Sequence, residues 1–194
     1  MNHPLLKLND EIKKEADHLL YKNGLLTILE KYGTPHISGS YYLNLMTWRD
    51  LDIYLEVDEQ SETNFFSLGG DIASSLHPVK MHFRNELIAQ TKGLPLGLYW
   101  GIYFGNERTG ASKIDIWCVK AEECKRLMDY CSTLNDKITP ESSVHIMNIK
   151  SQCWTDPLYR KSYTSTDIYT AVLEKNIHTS EAFKDYIMSQ IKNL

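Results

Sequence analysis

The chain has 194 residues, of which 42% are hydrophobic and 24% charged, a balance that fits one ordinary domain with room for a helical appendage and excludes a disordered tail. Its formal net charge of −4 argues against nucleic acid as the main partner, while leaving room for a small basic pocket for a nucleotide. No apolar run approaches the roughly 18 residues of a membrane helix, and the N-terminal segment carries charges where a signal peptide needs an unbroken apolar stretch. A cytoplasmic protein without membrane partners is therefore expected. Cys118, Cys124, Cys131 and Cys153 form no CxxC pair, and they read as buried structural thiols in a reducing compartment.

Leu8, Ile12, Ala16, Leu19 and Leu20 recur at helical spacing, with Asn9 or Asp10 as the expected N-cap and Lys22-Asn23-Gly24 as the stop. A shorter apolar helix is expected from Leu25 to Tyr32. Pro35 to Ser40 reads as a short strand entering a turn, and Tyr41 to Met46 as one or two helical turns. Asp50 to Val57 alternates, with Leu51, Ile53, Leu55 and Val57 on one face and Asp50, Asp52, Tyr54 and Glu56 on the other. Thr63 to Leu76 has a helical pattern, weakened by Gly69-Gly70. Val79 to Glu86 alternates again, placing Lys80, His82 and Arg84 on one face. His77 and His82 straddle Pro78 on opposite faces, so they are not a ligand pair. Leu98 to Phe104 and Ser112 to Val119 are strands on either side of a hairpin loop at Gly105 to Gly110. Helical patterns then run from Glu122 to Leu134, from Pro140 to about Cys153, from Asp167 to Lys175 behind a Ser165 or Thr166 cap, and from a Thr179 or Ser180 cap to about Lys192. The expected fold class is α+β: a small mixed sheet flanked by helices over residues 1–121, then a helical C-terminal region over residues 122–194.

The segment His36-Ile37-Ser38-Gly39-Ser40, followed by Asp50-Leu51-Asp52-Ile53, carries the chemistry. Glycine at 39 lets a phosphate approach the backbone, and the Ser40 hydroxyl can donate to phosphate oxygens. Asp50 and Asp52 lie two apart on a strand, so both carboxylates leave one face. They repel each other unless a cation lies between them, and Mg²⁺ binds through one or two carboxylates plus substrate phosphates. Asp115, on Lys113-Ile114-Asp115-Ile116-Trp117, joins the pair if its strand shares the sheet. Three carboxylates can hold two metals about 3.5–4 Å apart for in-line phosphoryl displacement.

Gly39-Ser40, a spacer, Asp50-Leu51-Asp52 and a downstream strand Asp115 resemble the nucleotidyltransferase superfamily typified by DNA polymerase beta, over about Pro35 to Val119. The C-terminal helices are similar to the helical half of its small-molecule members. The family's usual Ser before the first Asp is replaced by Trp48-Arg49. The resemblance implies that Gly39 and Ser40 hold nucleotide phosphates and that Asp50 and Asp52 bind Mg²⁺. It implies that Asp115 acts as metal ligand or general base. It further implies two Mg²⁺ ions, a nucleoside triphosphate such as ATP as co-substrate, and transfer of its monophosphate to a hydroxyl of a small molecule or protein, with pyrophosphate released. The alternative is a non-catalytic nucleotide-binding or antitoxin-like module of the same fold. A homodimer is left open.

Further nucleotide-binding candidates are Arg49, Lys150 and the segment Tyr159-Arg160-Lys161, whose aromatic and cationic groups can stack a base and bind phosphates. Lys80, His82 and Arg84 form a stripe able to neutralise a triphosphate or an acidic acceptor, or simply a solvated face. Trp100 and Tyr103, in the Leu98 to Phe104 strand, read as core packing, with the lining of an acceptor pocket as the alternative.

Overall fold

A computed structural model of the chain describes residues 3–192. Its first helix, α1 (Pro4–Asp17), starts earlier than expected. His3 is the cap, its Nδ1 accepting from the Leu5 N–H, and Pro4 takes the first turn, where its missing N–H costs nothing. Asn9, expected as the cap, is instead fully buried. Its Oδ1 accepts from the Met46 N–H at 2.8 Å, and its amide donates to Asn44 at 3.0 Å. The helix continues as a π-helical turn (His18–Lys22) to the left-handed Gly24, which opens α2 (Leu25–Leu29).

Five strands form one mixed sheet in the order β1-β2-β5-β4-β3. They are β1 (Thr34–Ile37), β2 (Asp50–Val57), β3 (Lys80–Asn85), β4 (Leu98–Tyr103) and β5 (Lys113–Lys120). The central pair β2 and β5 is parallel, and the other pairings are antiparallel. The two-residue alternation read in the sequence holds in every strand that matters for the site. Leu51, Ile53, Leu55, Leu98, Trp100, Ile102, Ile114, Ile116 and Cys118 point to one face, where they pack with Ile12, Leu20, Leu25, Leu29, Phe65, Leu68 and Ile72. The last three come from α4 (Glu62–Leu76). Gly69 belongs in that helix for a packing reason: a Cβ there would lie 3.0 Å from the Trp100 indole, whose N–H donates to the Phe65 carbonyl at 2.9 Å.

The opposite face presents Asp50, Asp52, Tyr54, Lys113, Asp115, Tyr99, Gly101 and Tyr103. α6 (Ala121–Lys137) packs there on β2 and β5. A second core joins α7 (Pro140–Cys153), α8 (Ser165–Lys175) and α9 (Ser180–Lys192) to Leu43, Leu45 and Trp48. Those three residues follow α3 (Gly39–Tyr42), so the chain between the glycine turn and β2 is embedded in the helical half. α1 spans both cores, with Leu5 and Leu6 on the second and Ile12 and Ala16 in the first. Thr139 caps α7 in a reciprocal box with Ser142; Thr164, one residue earlier than expected, caps α8 in a box with Asp167. The segment between β3 and β4 contains one short helical turn, α5 (Glu86–Ala89).

Candidate active site

Register does most of the positioning. Parallel pairing sets Asp52 opposite Asp115 and Asp50 opposite Lys113, so the motif carboxylates and the downstream acid meet on one face. One oxygen from each of Asp50, Asp52 and Asp115 lies within 4.8 Å of the others. The glycine turn sits directly over them. Ser38 N–H donates to the Asp52 carbonyl at 2.9 Å, and Gly39 then turns the chain with φ +58°. A Cβ at 39 would stand 2.0 Å from Asp52 Oδ2, so only glycine fits both the conformation and the approach. α3 is a single turn of four residues, so it contributes a few N–H groups and the Ser40 hydroxyl rather than a helix dipole.

Four cations converge on this region or border it, with different partners. Lys113 is buried. Its Nζ lies 2.5 Å from Asp115 Oδ2 and 3.6 Å from Asp50 Oδ1. Arg160 donates from Nη2 to Asp50 Oδ2 at 2.7 Å and from Nη1 to Glu107 at 2.9 Å, from a left-handed backbone with φ +66°. Lys150 is wholly buried, its Nζ 2.5 Å from Ser40 Oγ and 2.9 Å from the Leu45 carbonyl, over the Trp48 ring at 4.7 Å. Arg49 points elsewhere. It pairs with Glu15 of α1, Nη2 at 2.7 Å from Oε1, and does not line the cleft. Lys161 is exposed and also lies outside the cleft lining.

The cleft has a volume of about 300 Å³. Gly39, Ser40 and the three acids form its floor, Tyr130, Cys131 and Leu134 of α6 one wall, and Tyr159, Arg160 and the start of α8 the other. Of the sequence candidates, it therefore gathers Gly39, Ser40, Asp50, Asp52, Asp115, Tyr159 and Arg160, with Lys150 immediately behind Ser40.

Electrostatics follow from burial. Asp52 is pushed up to about 8, first by desolvation and then by the charges of Asp50 and Asp115. Burial also raises Asp115, against the lowering effect of Lys113 and Tyr99. Lys150 is pulled down to about 7 by desolvation, which Asp52 and Asp50 only partly offset. The acid cluster is thus short of positive charge. Among the described residues, the buried Asp50 Oδ1 has no hydrogen-bond partner, with Lys113 Nζ 3.6 Å away. An all-oxygen carboxylate set with an orphaned lone pair suits a hard divalent cation, so Asp50, Asp52 and Asp115 fit Mg²⁺.

Three residues escaped the sequence reading. Tyr99 donates to Asp115 Oδ1 at 2.6 Å; the alternation of β4 beside β5 was the signal that could have found it. Glu107, in the hairpin loop, holds Arg160, and Tyr169 lies 3.5 Å from Lys150 Nζ. Both depend on long-range packing that no local pattern encodes.

This sheet, helix placement and acid geometry define the polymerase beta-like nucleotidyltransferase fold. The chain is similar to the Cid1 poly(U) polymerase with Mg and 3′-dATP bound, at TM-score 0.57 and 14% identity, covering 84% of this chain and 49% of that one. It is similar to a cytoplasmic RNA terminal U-transferase at TM-score 0.56 and 12% identity, covering 90% and 54%. A second Cid1 structure, described for its RNA terminal uridylyl transferase activity, gives TM-score 0.50 and 14% identity, covering 87% and 53%. The chain thus spans about half the length of these neighbours. No family profile and no curated protein sequence matches it.

Proposed function

We propose that the chain is an Mg²⁺-dependent nucleotidyltransferase that moves a nucleoside monophosphate from a nucleoside triphosphate to a hydroxyl. The observation that carries this reading is the meeting of three carboxylates within 4.8 Å of one another beneath a glycine turn that lines the same cleft. Asp50 and Asp52 would hold the metal, with Asp115 as third ligand or general base. Bound there, Mg²⁺ would neutralise the charge that develops on the phosphoryl oxygens.

The chain's own groups supply the rest. The Gly39 and Ser40 region positions the phosphates, with Lys150 orienting the Ser40 hydroxyl. Arg160 lies beside Asp50, where a triphosphate would compete for its guanidinium. The acceptor oxygen attacks the α-phosphorus, the bond to the β-phosphate breaks, and pyrophosphate leaves. Asp115 takes the hydroxyl proton, and its burial raises its basicity for that task. Tyr99 and Lys113 fix its orientation from either side.

The acceptor site would lie on the open part of the same sheet face. Across the strands, Asp115 is opposite Gly101, and Gly101 is opposite His82. The Tyr99 and Tyr103 hydroxyls close over Gly101, and beyond them on the same face lie the exposed Lys80 and His82 of β3. A cationic rim favours an acceptor carrying negative charge: a phosphorylated small molecule or an acidic protein segment. An RNA 3′ end is the second reading, supported by the same rim and by the substrates of the structural neighbours. ATP as the donor and a cytosolic setting fit the cleft and the four free buried thiols.

Calorimetric titration of each nucleoside triphosphate with Mg²⁺ tests the donor site. Binding is expected to the wild type and to be lost in Asp52→Ala; equal binding by both removes the metal site. Pyrophosphate release with panels of acceptors tests turnover. Binding without release in every panel, RNA included, would favour the non-catalytic module, which the pairing of Lys113 and Arg160 with the acids also accommodates.

A further inference from the structure

A second set of metal-ligating groups lies further along β2, outside the cleft. His36 on β1, Glu56 on β2 and Cys124 in α6 each offer one donor atom, and the three donors lie within 4.8 Å of one another. Glu56 is four residues from Asp52 on the strand, about 13 Å at the rise of a β-strand, so the acid cluster is not involved. We propose that His36, Glu56 and Cys124 form a binding site for one zinc-class divalent transition metal, which ties α6 to the edge of the sheet.

The geometry is built by three elements and does not rest on one loop. β1 is antiparallel to β2, with His36 opposite Tyr54. That places His36 on the same face as Tyr54 and Glu56 and diagonal to Glu56, its Nε2 2.9 Å from Glu56 Oε2. Cys124 closes the group from above, in the first turns of α6, where its side chain is buried against the sheet. Its sulfur lies within 4.8 Å of a donor atom on each of the other two side chains. The three donors are therefore already grouped, and a metal would replace the thiol proton, which passes to solvent as the thiolate coordinates.

The donor set selects the ion. Imidazole nitrogen, thiolate sulfur and carboxylate oxygen together suit zinc, with a water completing four-coordination. The same set repels Mg²⁺, which demands oxygen ligands. The side chains of His36 and Glu56 are 32% and 35% exposed, so the ion has a path in and the water a place to sit. The Cys124 thiol, buried under α6, is shielded from larger reagents. A purely structural His–Glu pair across β1 and β2 would account for two of these groups but not for the buried thiol beside them. The mechanical result would be a clamp: α6 supplies Tyr130, Cys131 and Leu134 to the wall of the cleft, so fixing Cys124 fixes that wall.

Cobalt is the direct probe. The full chain, stripped with a chelator and desalted under reducing conditions, is titrated with Co²⁺ and then with Zn²⁺. One equivalent of Co²⁺ is expected to give a thiolate-to-cobalt charge-transfer band with tetrahedral ligand-field bands, and Zn²⁺ to bleach both. Cys124→Ser should lose the charge-transfer band. His36→Gln should weaken Zn²⁺ binding at least tenfold, about the loss that even an outer partner of a metal ligand causes. Asp52→Asn should leave the spectrum and the affinity unchanged, which separates this site from the acid cluster. No thiolate band in the wild type overturns the proposal, and so does a band that survives Cys124→Ser or disappears in Asp52→Asn.

Discussion

The space that a side chain at Gly39 would occupy is already filled by the carboxylate of Asp52: a Cβ there would meet Oδ2 at 2.0 Å. The glycine is needed twice, once for its φ of +58° and once for this contact. Gly24 separates the two demands, because its φ is +77° but nothing lies within 4 Å of its would-be Cβ. Gly24→Ala should therefore cost only the backbone penalty of about 1–2 kcal/mol, and nucleotide affinity should be unchanged. Gly39→Ala should cost at least that and also abolish Mg²⁺-dependent nucleotide binding, since Asp52 must move. Urea unfolding and calorimetry on the two variants check this, and intact binding by Gly39→Ala would contradict it.

Metal-free stability should pass through a minimum near neutral to mildly alkaline pH. Asp52 titrates at about 8 in the folded chain, against about 3.9 for an unfolded aspartate. Between those values the folded state holds the extra proton, so the stability Asp52 contributes is full at low pH and is lost as pH rises through the folded value. Lys150 runs the other way. It titrates at about 7 when folded and near 10.4 when unfolded, so stability recovers as pH climbs across that interval. In chelator-treated protein, Asp52→Asn should flatten the descending limb and Lys150→Met the ascending one. Urea midpoints measured at intervals from about pH 5 to pH 10 test both limbs.

Arg160 should act in opposite directions on bare metal and on metal–nucleotide. In the free chain it occupies Asp50 Oδ2 at 2.7 Å and so competes with a cation. With a triphosphate in the cleft, the same guanidinium has an anion to bind. Arg160→Ala should bind Mn²⁺ alone several-fold more tightly than the wild type, yet bind Mn²⁺–nucleotide several-fold more weakly, each about 1 kcal/mol. Paramagnetic relaxation of water protons gives the first constant and calorimetry the second. A change of the same sign in both would show that Arg160 merely packs.

The two halves of this site differed in how far they could be read from the chain. Asp50, Asp52 and Asp115 were visible because strand alternation fixes a face, and the apolar Leu51, Ile53, Ile114 and Ile116 left the acids only one direction to point. Gly39 was visible because a turn before a short helix calls for it. The cations were harder. Arg49 and Lys161 have the right charge, but Arg49 is held by Glu15 on α1, 34 residues away in the chain, and Lys161 faces solvent. The burial of Lys113 has a distant cause, since nothing local shows that Asp50 will be its neighbour on a parallel strand 63 positions earlier. Asn9 was misread as a cap for the same reason, since its partners lie in the loop before β2. Local propensity predicts elements well; it does not say which distant group will satisfy a buried charge.

The exposed rim on β3 should affect the acceptor and leave the donor alone. Lys80 and His82 lie two strands from Asp115, across Gly101. Replacing both with alanine should raise the KM for an anionic acceptor by about tenfold while nucleotide affinity and fold remain unchanged. Gly101→Leu should lower acceptor-dependent turnover further, because its side chain must displace the Tyr99 hydroxyl that donates to Asp115. Steady-state assays with acceptor varied at saturating nucleotide distinguish the two effects, and a loss of nucleotide binding in the double variant would place the rim on the donor side.

Leu43, Leu45 and Trp48 sit in the core of the C-terminal helices, although the chain reaches them straight from the glycine turn and leaves them straight into β2. The helical half therefore grips the loop that carries the proposed phosphate-binding backbone. On heating, loosening of that half would slacken the loop before the sheet itself melts, so nucleotide recognition should fail at a lower temperature than the loss of β structure. The protein carries its own early-warning fuse, and substitutions as remote as Phe183 would trip it.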